Sequence, residues 1–295
     1  MDLGGKVVVV TGGGSGIGAA MARRFAAEGA RAVVVADLQQ ARAAQVAGEV
    51  ERAGAAALAT RTDVAAEPEM RALVDQVLER FERIDLFCSN AGVAFGRGLD
   101  ASAGDWQLAW SVNVLAHVHA ARAVLPAMLE RGQGYLLQTC SAAGLLTNPG
   151  DAPYTVSKHA AVGFAEWLSV TYGDRGVRVS ALCPQGVRTN MLLGGLEAGN
   201  PAARAVAAAG ELLEPEQVAG AVVEGLAAER FLILPHPQVA GYLRQKAADP
   251  DRWLAGMRRL AAGASAREAA GASTTGASES DGASTPGASD AGAGR

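Results

Sequence analysis

Two residues suited to proton transfer, Tyr154 and Lys158, stand four positions apart in a stretch from Pro153 to Tyr172 that is predicted to be helical. That spacing places both side chains on one helix face. A neighbouring ammonium favours the phenolate and lowers a tyrosine pKa from about 10, as a base that oxidises an alcohol requires. Such a pair alone usually marks a solvated helix face. Ser141 ends a predicted strand 13 residues before Tyr154, so we expect all three side chains at one crevice.

A glycine-rich segment near the amino terminus has the composition of a phosphate-binding turn. It follows a short β-branched run and precedes a helical pattern, so a bound pyrophosphate would meet closely approaching backbone and the positive end of a helix. The absence of lysine after Gly18 argues against a nucleotide hydrolase. A purely structural turn is the alternative. The candidate binding residues of this segment are Gly12, Ser15, Gly16, Ile17 and Gly18.

An acidic residue, Asp37, ends the second predicted strand, 19 residues after Gly18. A carboxylate at this place can accept hydrogen bonds from both hydroxyls of an adenosine ribose, and it repels a 2′-phosphate. Ser15 offers no positive charge to such a phosphate either. The residues therefore favour NAD over NADP as the cofactor. Without the glycine-rich turn, Asp37 would as readily be the N-cap of the helix that follows.

Apolar strands alternate with helical patterns along the chain, which is typical of a parallel sheet covered on both faces. We therefore predict an α/β fold: a single Rossmann-type, doubly wound parallel sheet of about seven strands, with its ligand crevice at the carboxyl ends of the strands. The predicted strands are 6–11, 32–36, 55–60, 84–89, 135–139, 177–182 and 231–234, and the predicted helices are 16–28, 39–53, 67–81, 104–129, 153–172 and 216–227.

The composition changes at the end of the predicted domain. Residues 1–260 are assigned to one dinucleotide-binding and catalytic domain. Residues 261–295 are rich in Gly, Ala, Ser and Thr, with a recurring GAS triplet and no large apolar side chain. Such a segment cannot offset its ordering entropy by burial, so we predict a disordered tail.

Charge and cysteine content narrow the range of partners. The net charge of −4 predicts no nucleic-acid surface. No apolar run approaches the roughly 18 residues of a membrane span, so no membrane partner is expected. Cys88, Cys140 and Cys183 lie in apolar runs and predict free, buried thiols in a reducing, cytoplasmic compartment. No CxxC or HExxH spacing is present, so no metal site is predicted.

In combination these motifs resemble the short-chain dehydrogenase/reductase family over about residues 5 to 235. The similarity includes the Thr11-Gly12-x-x-x-Gly16-Ile17-Gly18 turn and the Tyr154-x-x-x-Lys158 pair, and each motif is weak alone although the joint set is highly specific. The other matching residues are Asp63, Val64, Asn90, Ala91, Gly92, Asn113, Ser141, Pro184, Gly186 and Thr189.

The resemblance implies a role for each matching residue. Tyr154 would exchange a proton with the substrate oxygen, Ser141 would hold that oxygen, and Lys158 would bind the nicotinamide ribose and depress the Tyr154 pKa. Asn113 would hold a water in a proton relay behind Lys158. Asp63 and Val64 would contact the adenine. The remaining cofactor contacts would come from Asn90, Ala91, Gly92, Pro184, Gly186, Val187 and Thr189.

Two positions depart from the family pattern. Ser89 stands where the first Asn of Asn-Asn-Ala-Gly is usual, and Gln185 stands where glycine usually follows Pro184. Ser89 is a small polar exchange in a structural motif. Gln185 either reaches into the substrate pocket or merely tolerates the turn.

The substrate side is predicted from residues 93–96, 142–146, 148–152 and the connection from Asn190 to about Leu213. That connection has an apolar wall and several glycines, which favours a mobile lid over a hydrophobic substrate; an ordinary flexible connection is the alternative. His236 to Leu260 is predicted to form two short helices over the pocket or a subunit contact.

The resulting hypothesis is an oxidoreductase that transfers a hydride between NAD(H) and an apolar secondary alcohol or ketone. The alternatives are an NAD-binding sensor or scaffold without turnover, and a methyltransferase, which would not need the Ser-Tyr-Lys set. The resemblance further implies a homotetramer or homodimer that packs the long helices around Asn113 and Tyr154.

Overall fold

The computed structural model describes the backbone of residues 1–275 and the side chains of residues 1–262. Its centre is a parallel sheet of seven strands in the order β3-β2-β1-β4-β5-β6-β7. The predicted α/β doubly wound sheet is thereby confirmed. The strands are β1 Val7–Thr11, β2 Ala32–Asp37, β3 Ala56–Arg61, β4 Leu86–Ser89, β5 Gly134–Thr139, β6 Val177–Leu182 and β7 Leu232–Ile233.

Helices cover both faces of this sheet. On one face α3, α5 and α6 share a core with the sheet, and on the other α1, α2 and α9 do. The helices are α1 Gly16–Ala27, α2 Gln40–Arg52, α3 Glu67–Phe81, α4 Ala103–Trp110, α5 Ala116–Glu130, α6 Ala152–Tyr172, α7 Asn190–Glu197, α8 Pro201–Ala208, α9 Pro215–Ala227, α10 Gln238–Ala248 and α11 Pro250–Thr275.

The first strand shows why the sequence adopts this architecture. All five residues of β1 are buried, and alternate valines point to opposite faces, with Val7 and Val9 in one core and Val8 and Val10 in the other. Each fully buried valine contributes roughly 1.5–3 kcal/mol. A strand that is apolar on both faces is stable only between two layers of helices.

The strand order reverses direction at β1, which lies between β2 and β4. The connections leaving β1 and β4 therefore run to opposite sides, and a crevice opens between their carboxyl ends. The glycine-rich turn after β1 lies at this point, as predicted.

Two predicted segments differ from the structure. The single helix predicted from Gly104 to Leu129 is interrupted by a π-helical turn at Ser111–Leu115. The connection predicted as a loop from Asn190 to about Leu213 contains two helices, α7 and α8. Thr189 caps α7, and Asn200 caps α8 by accepting hydrogen bonds from its first N–H groups, with Pro201 at the first helical position.

The carboxyl-terminal segment forms two helices, α10 and α11, as predicted, but α11 has 26 residues and is not the short helix expected before Leu260. Helix α11 continues past the predicted domain end at residue 260 as far as Thr275. The predicted tail, 261–295, therefore starts inside this helix, and residues 276–295 lie outside the described residues.

One stretch, Ala103–Glu130, is long and apolar enough to cross a membrane by length and composition alone, with 28 residues. It is not the uninterrupted apolar run whose absence the sequence predicts, because polar residues such as Asp105, Asn113 and Arg122 interrupt it. In the structure, 56% of its most apolar part is buried inside the protein. There α5 packs on the sheet beside α3, so the apolar composition is that of a core helix.

Candidate active site

A cavity of about 930 Å³ runs along the carboxyl ends of the strands, from Asp37 at one end to Tyr242 and Trp253 at the other. It brings together nearly all of the residues singled out in the sequence. Gly18 and Asn113 are the two that do not line it. The predicted residues in its wall are Gly12, Ser15, Gly16, Ile17, Asp37, Asp63, Val64, Asn90, Ala91, Gly92, Ser141, Tyr154, Lys158, Pro184, Gly186, Val187 and Thr189.

The glycine-rich turn is packed so closely that it excludes side chains. A Cβ on Gly12 would lie 2.9 Å from the Ala91 Cα, and a Cβ on Gly18 would lie 2.2 Å from the Gly12 carbonyl oxygen. The Asn90 side chain fixes the turn by donating from Nδ2 to the Thr11 carbonyl at 3.0 Å. Helix α1 begins here with no side-chain cap from Ser15, so its first N–H groups are available for an anion.

Asp37 lies beside this turn at one end of the cavity. Its Oδ2 accepts a hydrogen bond from the Gly14 N–H at 3.0 Å, and its Oδ1 accepts one from the Gln39 N–H at 2.9 Å. The N-cap of α2 is Gln39, so the alternative of Asp37 as that cap is not seen. Arg42 of α2 also lines this end, which the sequence interpretation missed. The glycine-rich turn with the free N–H groups of α1, called the glycine cradle below, fits the pyrophosphate of a dinucleotide, and the fixed carboxylate of Asp37 fits its ribose.

The other predicted adenosine-side residues follow β3 and β4. Asp63 Oδ1 accepts from the Ala65 N–H at 3.0 Å, which holds the turn containing Val64 against the cavity. Asn90 Oδ1 accepts from the Thr139 hydroxyl at 3.2 Å, so its side chain links the ends of β1, β4 and β5. These contacts give Asn90 a structural task, while its neighbours line the wall.

Tyr154, Lys158 and Ser141 meet at the middle of the cavity. Tyr154 lies in the first turn of α6, close enough to the hydroxyl of Ser141, which follows β5, for that hydroxyl to influence its pKa. Lys158, 3% exposed, lies one turn further along α6 with its Nζ 5.7 Å from the centre of the Tyr154 ring. That ammonium donates to the Thr139 carbonyl at 2.9 Å.

Burial governs the titration of this group. It raises the pKa of Tyr154 to about 12, and the nearby Ser141 hydroxyl opposes that rise only in part. Burial also lowers the pKa of Lys158. The expectation that Lys158 depresses the Tyr154 pKa stays a prediction; in the chain by itself the loss of solvation is the dominant influence on that pKa, and the ammonium is directed at Thr139.

Asn113 lies in the π-helical turn and is fully buried. Its Oδ1 accepts from the Val93 N–H at 2.9 Å, and its Nδ2 donates to the Val93 carbonyl and the Ser157 hydroxyl, both at 3.0 Å. The side chain thus ties the segment after β4 to α6. A Cβ on Gly92 would lie 3.3 Å from Asn113 Oδ1 and 3.5 Å from Lys158 Nζ. The water relay stays a prediction.

The turn after β6 is held by His236, whose role the sequence interpretation missed. His236 is 2% exposed; its Nδ1 accepts from the Gln185 N–H and its Nε2 donates to the Gly186 carbonyl, each at 3.1 Å. Burial lowers its pKa, so the ring is neutral. Its position directly after β7, at the edge where the other site residues lie, was the available signal.

Gln185 extends beyond the turn on which it lies. Its Nε2 donates to the Ala209 carbonyl at 3.5 Å, and its Oε1 accepts from Gln238 Nε2 at 3.4 Å. It also lines the cavity. Of the two interpretations of this departure from the family pattern, the structure favours a side chain that reaches the substrate end.

The substrate end of the cavity has an apolar wall supplied by the segment after Ser141, by α7 and α8, and by α10 and α11. Helices α10 and α11 form the part of this wall that we call the roof. Lys246 of α10 holds the roof in place by donating to the Leu145 carbonyl at 2.7 Å. The large apolar side chains of the wall are Leu146, Leu192, Val206, Tyr242, Trp253, Met257 and Leu260.

Two further predictions from the sequence concern the cysteines and metal binding. Cys88, Cys140 and Cys183 are all free and buried, which confirms their predicted state. Among the described residues, no three His, Cys, Asp or Glu side chains group as metal ligands would.

Fold and site together define an oxidoreductase of the nicotinamide-dependent class. The family model for short chain dehydrogenases matches residues 6–195. The chain belongs to the short-chain dehydrogenase/reductase family. Among curated relatives, it is 36% identical over 225 residues to meso-2,3-butanediol dehydrogenase of Serratia marcescens, covering 76% of this chain and 88% of that one. It is 35% identical over 253 residues to 1-deoxy-11-beta-hydroxypentalenate dehydrogenase of Streptomyces exfoliatus, covering 84% and 90%.

Solved structures give the same family. A short-chain dehydrogenase/reductase from Burkholderia phymatum in complex with NAD superposes with a TM-score of 0.78 at 32% identity, covering 85% of this chain and 96% of that one. A 7α-hydroxysteroid dehydrogenase complexed with NADH and 7-oxo glycochenodeoxycholic acid superposes with a TM-score of 0.72 at 28% identity, covering 79% and 93%.

Proposed function

We propose that the protein interconverts an apolar secondary alcohol and its ketone, with NAD(H) as the partner in hydride transfer. The observation that carries this proposal is one cavity with a glycine cradle and Asp37 at one end and the Ser141–Tyr154–Lys158 group at its middle. The nicotinamide, when bound, supplies or accepts the hydride.

In this proposal the protein handles the proton and the substrate oxygen. Ser141 Oγ and the Tyr154 hydroxyl hold that oxygen, and Tyr154 exchanges the proton. Because burial raises the pKa of Tyr154 to about 12, the phenol keeps its proton at neutral pH, which suits donation to a ketone. Oxidation of an alcohol needs the phenolate and is expected to accelerate as pH rises.

The preference for NAD over NADP is supported by the fixed carboxylate of Asp37. Both of its oxygens are held by backbone N–H groups, which keeps a negative charge where a 2′-phosphate would lie. Arg42 in the same wall is a cation that would favour a 2′-phosphate.

The apolar substrate is supported by the wall of Leu, Val, Met, Tyr and Trp side chains around the substrate end. The curated relatives named above act on a small diol and on a hydroxylated pentalenate, so the family accommodates skeletons of different size. The length of the apolar wall from Leu146 to Leu260 favours a substrate with a larger carbon skeleton for this protein.

A homodimer or homotetramer is supported by apolar side chains on the outer faces of α4 and α6. Trp110, Trp167 and Val170 are 46%, 54% and 86% exposed. Exposed apolar groups on neighbouring helices are typical of a subunit contact. The cytoplasmic location inferred from the sequence stays a prediction.

The test is to mix the purified protein with NAD or NADP and a panel of cyclic and acyclic secondary alcohols, and to follow the absorbance of the reduced cofactor. Turnover with NAD is expected, together with loss of at least a hundredfold in Tyr154→Phe while NAD affinity is retained. Unchanged turnover in Tyr154→Phe would defeat the catalytic assignment. Tight NAD binding with no turnover on the whole panel would favour the sensor or scaffold.

A further inference from the structure

A buried carboxylate lies three residues before Tyr154. Asp151 is 1% exposed and accepts three hydrogen bonds from backbone N–H groups. Its Oδ2 accepts from Phe95 at 2.8 Å and from Gly96 at 2.7 Å, and its Oδ1 accepts from Tyr154 at 3.0 Å. One side chain therefore joins the start of α6, the helix that carries Tyr154 and Lys158 and is called the catalytic helix below, to the segment after β4 that lines the cavity.

The same segment holds the start of α8. Asn200 donates from Nδ2 to the Phe95 carbonyl at 3.4 Å, while its Oδ1 accepts from the Ala202 N–H at 2.8 Å as the cap of that helix. The approach is close, since a Cβ on Gly96 would lie 1.6 Å from Asn200 Nδ2. Helices α6 and α8 thus meet through a segment whose two amides are fixed by Asp151.

A helix cap alone does not account for this residue. Capping needs one acceptor, which serine or asparagine supplies equally well, without burying a charge. Asp151 carries two further hydrogen bonds to a segment 55 residues away along the chain. A buried carboxylate is stabilised by several donors at once, and the donors here come from two separate elements.

We propose that Asp151 is a positioning residue that clamps the 95–96 segment, and with it the base of α8, to the catalytic helix. The clamp sets the position of this part of the cavity wall, because Gly96 and the adjoining residues of α8 line the cavity side by side. The kinetic part of this inference rests on the proposed alcohol oxidation.

The charge of Asp151 has a second consequence at Tyr154. The groups that influence this phenol are Lys158 on the same helix, Ser141 after β5, the thiols of Cys140 and Cys183, and Asp151. The negative charge of Asp151 raises the pKa of Tyr154, in the same direction as burial. Removing that charge lowers the pKa, so the rise of alcohol oxidation with pH moves to lower pH. A residue with a structural task alone would leave the pH profile in place.

Two substitutions distinguish the hydrogen bonds from Phe95 and Gly96, which form the clamp, from the hydrogen bond of the Tyr154 N–H, which caps α6. Asp151→Asn keeps the shape and removes the charge, and Asp151→Ser keeps an acceptor for Tyr154 N–H but cannot reach Phe95 or Gly96. Both are expected to raise KM for the alcohol about tenfold, the loss that follows from roughly one charge-assisted hydrogen bond. Both should also shift the pH profile of kcat to lower pH while the Kd for NAD stays near the wild-type value.

Asn200→Ala is the matched control. It removes the contact with the Phe95 carbonyl and carries no charge, so KM rises while the pH profile stays in place. A pH profile that stays in place in both Asp151 variants would overturn the electrostatic part of the proposal. A KM that stays at the wild-type value in both would overturn the positioning part.

Hydrogen exchange tests the clamp without turnover. In the wild-type protein the amides of Phe95 and Gly96 are expected to exchange slowly, and in Asp151→Ser both should exchange at least tenfold faster while the amide of Tyr154 stays protected. Unchanged exchange at 95 and 96 would overturn the clamp. If the wild-type protein turns over no alcohol, the proposed function fails, and this measurement still decides the clamp. Asp151→Asn gives the same readout if the serine variant does not fold.

Discussion

The adenosine end of the cavity is built from backbone atoms and glycines, whereas the substrate end is built from side chains on helices. At the first end, positions such as Gly12 and Gly18 have no room for a Cβ, and Asp37 is held by two amides. At the second, Leu, Val, Met and Trp form a wall in which one apolar side chain can replace another. We attribute the difference to the ligands: the dinucleotide is the same molecule in each enzyme that uses it, while the alcohols differ from enzyme to enzyme.

The largest expected effect lies at the rigid end. Gly18→Ala places a methyl group 2.2 Å from the Gly12 carbonyl oxygen, so the turn must shift. We expect that shift to cost roughly 3 kcal/mol of binding free energy, which weakens NAD binding about a hundredfold. Titration calorimetry measures the Kd. Gly48→Ala, where nothing lies within 4 Å, is the control and should bind NAD normally. Normal binding by Gly18→Ala would show that this end is less rigid than its packing implies.

Substitutions at the substrate end should change the substrate specificity. Trp253→Ala removes a large part of the apolar wall, so KM for bulky alcohols should rise some tens of times, as roughly 2 kcal/mol of apolar contact predicts, while NAD affinity stays constant. The measurement is kcat/KM over alcohols of increasing size. Leu254→Ala, on the same helix but outside the wall and 49% exposed, should leave the size preference unchanged. An equal loss in both variants would mean that the roof acts only through stability.

The charge at Asp37 offers a finer test of the first end. Asp37→Asn keeps the shape but removes the repulsion of a 2′-phosphate, so the ratio of kcat/KM for NAD over NADP should fall roughly tenfold. Adding Arg42→Ala in the same background should remove the gain with NADP, because that guanidinium then no longer faces the phosphate. A ratio that stays constant in Asp37→Asn would withdraw the basis for preferring NAD.

The smallest effect concerns His236, which holds the turn after β6. His236→Asn should lower the free energy of unfolding by about 1 kcal/mol at pH 7.5, since one of two hydrogen bonds is lost. Burial lowers the His236 pKa in the folded protein, so as pH falls below about 6.5 the unfolded chain binds the proton first and the wild type loses stability. Asparagine does not titrate. Urea unfolding at pH 7.5 and 5.5 should therefore show the gap narrowing at the lower pH, and a gap that widens would contradict the neutral, buried histidine.

Prediction from the sequence succeeded where the local pattern and the structural requirement coincide. The valines of β1 need two covering layers, and the glycines after it need close packing, so the fold and the tight turn after β1 were both foreseeable. Helices α7 and α8 were missed because Gly194, Gly195 and Gly199 are typical of a loop. The N-caps Thr189 and Asn200 were the opposing signal, and they outweigh those glycines in the structure.

Other features depend on contacts that no local pattern encodes. The bonds of His236 and Asp151 join residues about 50 or more positions apart. The pKa of Tyr154 follows from how completely the ring is buried, which the spacing to Lys158 does not reveal. The π-helical turn that carries Asn113 has no signature in the residues around it.

Strand β7 pairs with β6 through only two residues, at the margin of the sheet. Helices α10 and α11, which carry Tyr242 and Trp253, follow this strand, and they pack on the domain through α8 and the segment after β5. Exchange of α10 and α11 between relatives would leave the other six strands and the glycine-rich turn as they are. New substrates can in this way be acquired during evolution by grafting a different terminus onto an unaltered redox scaffold.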